Sequence, residues 1–137
     1  MNPISGIKAH VYVKGSIDAI KMYKKAFGLD GKEKELILDN DGNVWHCVLT
    51  RNGNEYISIS EEIYLPKELI NDYPGLIRPI MLFKVEFENK LDLTNAFNIL
   101  SEDGNPCSGL KTEPWSVVSC DVIDKFGVFW YLIVWKC

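Results

Sequence analysis

The stretch Lys8-Ala9-His10-Val11-Tyr12-Val13-Lys14, followed by Gly15-Ser16 and the run from Ile17 to Gly28, decides the fold. Ala9, Val11 and Val13 alternate with Lys8, His10, Tyr12 and Lys14, the pattern of a strand with one aliphatic face and one carrying an imidazole and a phenol. Ser16 is placed as an N-cap, Asp18 falls in the first turn where the macrodipole favours an acid, and Ile17, Ile20, Tyr23 and Phe27 make one stripe. Gly28 is placed to end the helix. A helix over the aliphatic side leaves His10 and Tyr12 looking the other way, and function is expected there.

Outward from this stretch, Glu33 to Leu38 reads as a strand, and Asn40-Asp41-Gly42-Asn43 is a hairpin turn. Val44 to Thr50 then puts Val44, His46, Val48 and Thr50 on one face and Trp45, Cys47 and Leu49 on the other. After the turn Arg51-Asn52-Gly53-Asn54, the strand Glu55 to Ser60 alternates Ile57 and Ile59 with Tyr56, Ser58 and Ser60. Residues 61–78 read as a linker, with a short helix from Lys67 to Tyr73.

The opening order then recurs. Pro79 to Phe87 reads as a strand, and Leu93, Ala96, Phe97 and Leu100 stripe a second helix that Gly104 stops. Aligning the two helices gives an offset of about 77 residues, roughly half the chain. A short strand near Pro106 to Leu110, a strand from Ser116 to Ile123 and a last one from Val128 to Trp135 complete it. The last is apolar on both faces, as a central, covered strand would be. The expected class is α+β: two βαβββ modules, 7–60 and 79–137, in one domain spanning 1–137.

A chain of 137 residues suits one such domain. Its net charge of −4 and lack of a basic run argue against a nucleic-acid partner. The longest apolar run, Val128 to Trp135, is short of a bilayer span, so no membrane partner is expected. The amino-terminal residues carry neither a charged nor an apolar export region, and Cys47, Cys107, Cys120 and Cys137 have no paired spacing. A cytoplasmic location with reduced thiols is expected, three packed in strands and Cys137 exposed.

The run His10-Val11-Tyr12-Val13, with Gly15, Ala19-Ile20, Tyr23 and Ala26-Phe27-Gly28, resembles the opening of the vicinal-oxygen-chelate superfamily of glyoxalases, bleomycin-resistance proteins and extradiol dioxygenases. Its PhnB-like branch is the most similar. Val44-Trp45-His46, Trp115 and the closing Asp124-Lys125-Phe126-Gly127-Val128-Phe129-Trp130 support the likeness, which covers nearly the whole chain. It implies an open, curled mixed sheet around a concave pocket, and a homodimer.

Catalytic members of the superfamily commonly hold a divalent metal. By resemblance His10 stands at the first ligand position and His46 at or beside the second, whereas Met81 and Tyr131 occupy the third and fourth. A thioether and a phenol are poor substitutes for the missing carboxylate, so no cofactor is predicted. If a metal binds, His10 and His46 are its ligands. The expected pocket residues are His10, Tyr12, His46, Tyr56, Ser58, Trp115, Ser119 and Tyr131, mixed aromatic and polar groups suited to a small organic ligand. The expected function is binding of a small, partly apolar molecule without an obligatory metal. The alternative is a divalent-metal-dependent lyase, isomerase or dioxygenase, so whether a reaction is catalysed stays open.

Overall fold

The computed structural model describes residues 3–67 and 81–137. In order the elements are β1 (Ala9–Val13), α1 (Ser16–Phe27), β2 (Lys34–Leu38), β3 (Val44–Arg51), β4 (Asn54–Glu61), a 3-10 turn (Glu62–Tyr64), β5 (Phe83–Glu86), α2 (Lys90–Ser101), β6 (Asn105–Glu113), β7 (Ser116–Ile123) and β8 (Phe129–Trp135). The helix expected from Lys67 to Tyr73 lies, apart from Lys67, outside the described residues. Of the strand expected from Pro79 to Phe87, Pro79 and Ile80 lie outside the described residues, and β5 spans Phe83–Glu86 with Met81 exposed ahead of it.

Contacts group the chain into two compact units, Met1–Lys24 with Gly28–Asn71 and Lys25–Phe27 with Asp72–Cys137. Each contains a four-stranded mixed sheet, ordered β1-β4-β3-β2 in the first and β5-β8-β7-β6 in the second. In each, the first strand pairs in parallel with the last and the remaining pairs are antiparallel. Neither sheet closes on itself. The architecture is α+β, with the order βαβββ occurring twice.

In the first unit, register aligns Val11 with Ile59 and Cys47, and Ala9 with Ile57 and Leu49. This aliphatic face is buried apart from the partly exposed Ala9. Both ends of helix α1 are tied to β3. Val44 N at the start of that strand donates to Ser16 Oγ (3.1 Å), and Arg51 Nη1 at its end donates to the Gly28 carbonyl (3.1 Å). Glycines at φ 93 (Gly15) and φ 63 (Gly28) bracket the helix in the left-handed region that side chains resist.

Two details of α1 differ from expectation. Ser16 is the first helical residue rather than the N-cap, because the capping acceptor comes from another strand: Glu61 takes hydrogen bonds from Gly15 N (3.0 Å), Ser16 N (2.9 Å) and Ser16 Oγ (2.7 Å). Ile17 is exposed, and the buried stripe is Ala19, Ile20, Tyr23 and Ala26.

Strand β2 departs most from its pattern. All five residues are exposed, the register with β3 shifts twice, and Glu35 adopts φ 52, so the expected alternation of Leu36 and Leu38 is lost.

In the second unit, Leu93, Ala96 and Leu100 of α2 are fully buried, as are Trp130, Leu132, Cys120 and Val122 on one sheet face. Asn89 Oδ1 caps α2 by accepting from Asp92 N (2.8 Å). Strand β8 lies inside the sheet, between β5 and β7. The expected short strand near Pro106 is a nine-residue edge strand, whose Pro106 and Gly109 obscure it in sequence. It carries Cys107 exposed, so two cysteines rather than three are packed. Among the described residues no helix is long and apolar enough to cross a membrane.

Candidate functional site

Pairing of β1 with β4 sets His10 beside Ser58 and Tyr12 beside Ser60, on the face opposite Val11 and Ile59. Val48 of β3 pairs with Ser58, and alternation places His46 on the same side. The rings meet there. His10 stacks on Tyr12 with centroids 4.6 Å apart and planes 10° from parallel, and the His46 ring is 5.6 Å from His10.

Hydrogen bonding fixes the His10 tautomer. The buried Ser60 hydroxyl donates to the Trp45 carbonyl (2.8 Å), so its oxygen must accept from His10 Nε2–H (2.9 Å). In the neutral ring Nδ1 is then an acceptor with no partner among the described residues. Burial and, second, the neighbouring His46 lower the His10 pKa from 6.5. His46 Nε2 lies 3.3 Å from Glu35 Oε1, and Glu35 adopts the left-handed backbone, φ 52.

Of the other expected residues, Ser58 is half-buried and Tyr56 exposed on β4. Trp115, Ser119 and Tyr131 belong to the second unit. Trp115 Nε1 donates to the Tyr131 hydroxyl (3.0 Å). Ser119 is fully buried, 3.3 Å from Ser116 Oγ. The structure therefore brings His10, Tyr12 and His46 together in one unit and Trp115 and Tyr131 in the other.

Sequence reading missed Glu35, Glu61 and Lys84. Glu61 left a signal, since it continues the buried series Ile57, Ile59 on the aliphatic face, opposite Val13. Glu35 left none, since it lies where the β2–β3 register shifts. Lys84 is exposed, yet it sits against two aromatic rings.

No family model matches the chain, and no curated protein sequence matches it. Solved structures do. A protein from Pseudomonas aeruginosa superposes with TM-score 0.73 at 17% identity, covering 98% of this chain and 100% of the other. The PhnB protein from Bacillus cereus gives 0.70 at 22%, covering 95% and 99%. A glyoxalase/bleomycin resistance protein/dioxygenase family enzyme from Burkholderia phytofirmans gives 0.69 at 8%, covering 94% and 97%. The chain has the glyoxalase/bleomycin-resistance fold.

His10, His46, Met81 and Tyr131 are the four positions that the resemblance assigns to a metal centre. Nε2 of His10 is hydrogen-bonded to Ser60, and Nε2 of His46 lies 3.3 Å from Glu35 Oε1. Tyr131 is engaged by Trp115, and Met81 is exposed outside its strand. Among the described residues no group of three or more His, Cys, Asp or Glu is arranged to hold a metal.

Proposed function

We propose that this chain binds a small, partly apolar molecule against the His10 face of the first sheet, without an obligatory metal. The observation that supports this most directly is the orientation of His10. With Nε2–H committed to Ser60, a neutral imidazole presents Nδ1 as an acceptor beside the Tyr12 ring. A ligand with a flat apolar part and a polar hydrogen would place the first against the aromatic surface and give the second to Nδ1. Ser58 and the Tyr56 phenol would fix its orientation.

A thermal-shift screen of hydrophobic antibiotics, thiol adducts and catechols tests the reading, since a specific binder raises the melting temperature by mass action. A hit whose shift disappears in His10→Ala supports it. A screen whose hits all survive that change would refute it. The rival, a metal-dependent lyase, isomerase or dioxygenase, draws on the closeness of His10 and His46. It would be upheld by one equivalent of metal in protein purified without chelator, lost in His10→Ala.

The reading includes a cytoplasmic homodimer. Leu36, Ile37 and Leu38, each about half exposed on edge strand β2, are apolar surface that a second copy would cover. Sedimentation of the purified chain tests it.

A further inference from the structure

We propose that the second unit carries a subsite of its own for a planar aromatic carboxylate, formed by Lys84, Tyr131 and Trp135. The inference goes beyond the reading above and does not depend on the His10 face.

Strand pairing aligns Lys84 of β5 with Tyr131 of β8, and Tyr131 with Asp121 of β7, on the face opposite the buried Trp130 and Leu132. Trp135 lies four residues beyond Tyr131 on the same face of β8. Lys84 Nζ stands 5.1 Å from the centre of the Trp135 ring and 6.0 Å from that of Tyr131. Ring quadrupoles hold an ammonium there. Lys84 forms no ion pair with a carboxylate among the described residues, although Glu86 shares its face. Asp121 is occupied by a hydrogen bond from Ser108 Oγ (2.9 Å).

The Tyr131 hydroxyl is oriented as well. It accepts from Trp115 Nε1 (3.0 Å), and its own proton has no acceptor among the described residues. Two donors, an ammonium without an ion pair among the described residues and a phenolic O–H, therefore accompany the surfaces of two indoles, Trp115 and Trp135, that are 50% and 40% exposed. Exposed tryptophans beside that cation suit a ligand whose ring stacks on an indole and whose carboxylate accepts from Lys84 and Tyr131. An organic cation would meet Lys84 head-on and be repelled.

Titration with 1-naphthoate, followed by tryptophan fluorescence and by calorimetry, tests this with the full chain. Saturable binding is expected. It should weaken about tenfold in Lys84→Met, as expected for loss of a charge-assisted bond, and recover in Lys84→Arg. Tyr131→Phe should weaken it about threefold, and the uncharged 1-naphthamide should bind wild type no better than naphthoate binds Lys84→Met. Lys84 is exposed, so these variants should keep the wild-type melting temperature. Equal or tighter binding in Lys84→Met, naphthamide matching naphthoate in wild type, or no saturable binding would each overturn the proposal. Loss of naphthoate binding in His10→Ala with full binding in Lys84→Met would place the ligand on the first sheet and reject this subsite, leaving the earlier reading intact.

Discussion

Glu61 Oε1 accepts two hydrogen bonds from Ser16, one from the backbone N–H at 2.9 Å and one from the hydroxyl at 2.7 Å. A carboxylate at the end of β4 thereby caps a helix that begins 45 residues earlier in the chain. Glu61 is 7% exposed. Burial alone would raise its pKa, but hydrogen bonds from Ser16 and Gly15 outweigh that and lower it. The helix macrodipole favours the same charge.

Replacing Glu61 with Gln should therefore destabilise the fold by roughly 2 kcal/mol, the scale of a charge-assisted hydrogen bond lost in a buried place. Because the folded-state pKa is depressed, Glu61 contributes stability above its unfolded value of 4.5, lost as pH falls through the folded value. Urea melts of wild type and variant should converge in acid and separate at neutral pH.

His10 has the same sign of dependence at higher pH. Its folded pKa lies below 6.5, so between the folded and unfolded values the unfolded chain binds more protons, and stability falls as pH drops through 6.5 towards the lowered folded value. His10→Gln should flatten this part of the stability profile. A profile equally steep in the variant would show that His10 does not contribute to it.

Asp39 and Asp124 build the same turn in two places. Asp39 Oδ1 accepts from Asp41 N and Asn43 N, each at 2.9 Å, and Asp124 Oδ1 accepts from Phe126 N (2.9 Å) and Val128 N (3.0 Å). Their second oxygens hold aromatic groups, the Tyr64 hydroxyl at 2.6 Å and the Trp130 indole N–H at 2.8 Å. Asp124 is buried, so Asp124→Ala should cost roughly 3 kcal/mol by leaving backbone and indole donors unpaired. Asp39→Ala should cost clearly less, since water reaches its turn. Thermal denaturation of the two variants checks the order.

Thiol labelling should divide the four cysteines evenly. Burial raises Cys47 to about 11 and Cys120 to about 12, whereas Cys107 and Cys137 are exposed. Ellman's reagent at neutral pH should react promptly with two thiols in the native chain and with all four after denaturation. Rapid reaction of a third without unfolding would contradict the packing of β3 or β7.

The strands bearing the candidate site were legible because their faces are written in alternation. His10 and Tyr12 stand against Val11 and Val13, and Ser58 and Ser60 against Ile57 and Ile59. The turn before β8 was legible as a motif, and its Asp124 proves to bind Trp130 and the backbone. The edge strands were not legible in the same way. Half-exposed β2 has little burial to enforce its register, and a left-handed Glu35 breaks its alternation. β6 interrupts its pattern with Pro106 and Gly109.

By itself, the order of residues determined the α+β class, the doubled strand-helix-strand plan and the sides on which the two histidines fall, because periodicity is a local property of the chain. Only the tertiary structure decided what those side chains meet. Ser60 orients His10 from 50 positions away, Glu61 caps α1, and Lys84 rests on Trp135 across the second sheet. Strand order and register create these pairings, and both are set by how whole sheets bury their aliphatic faces rather than by the residues on either side of the pair.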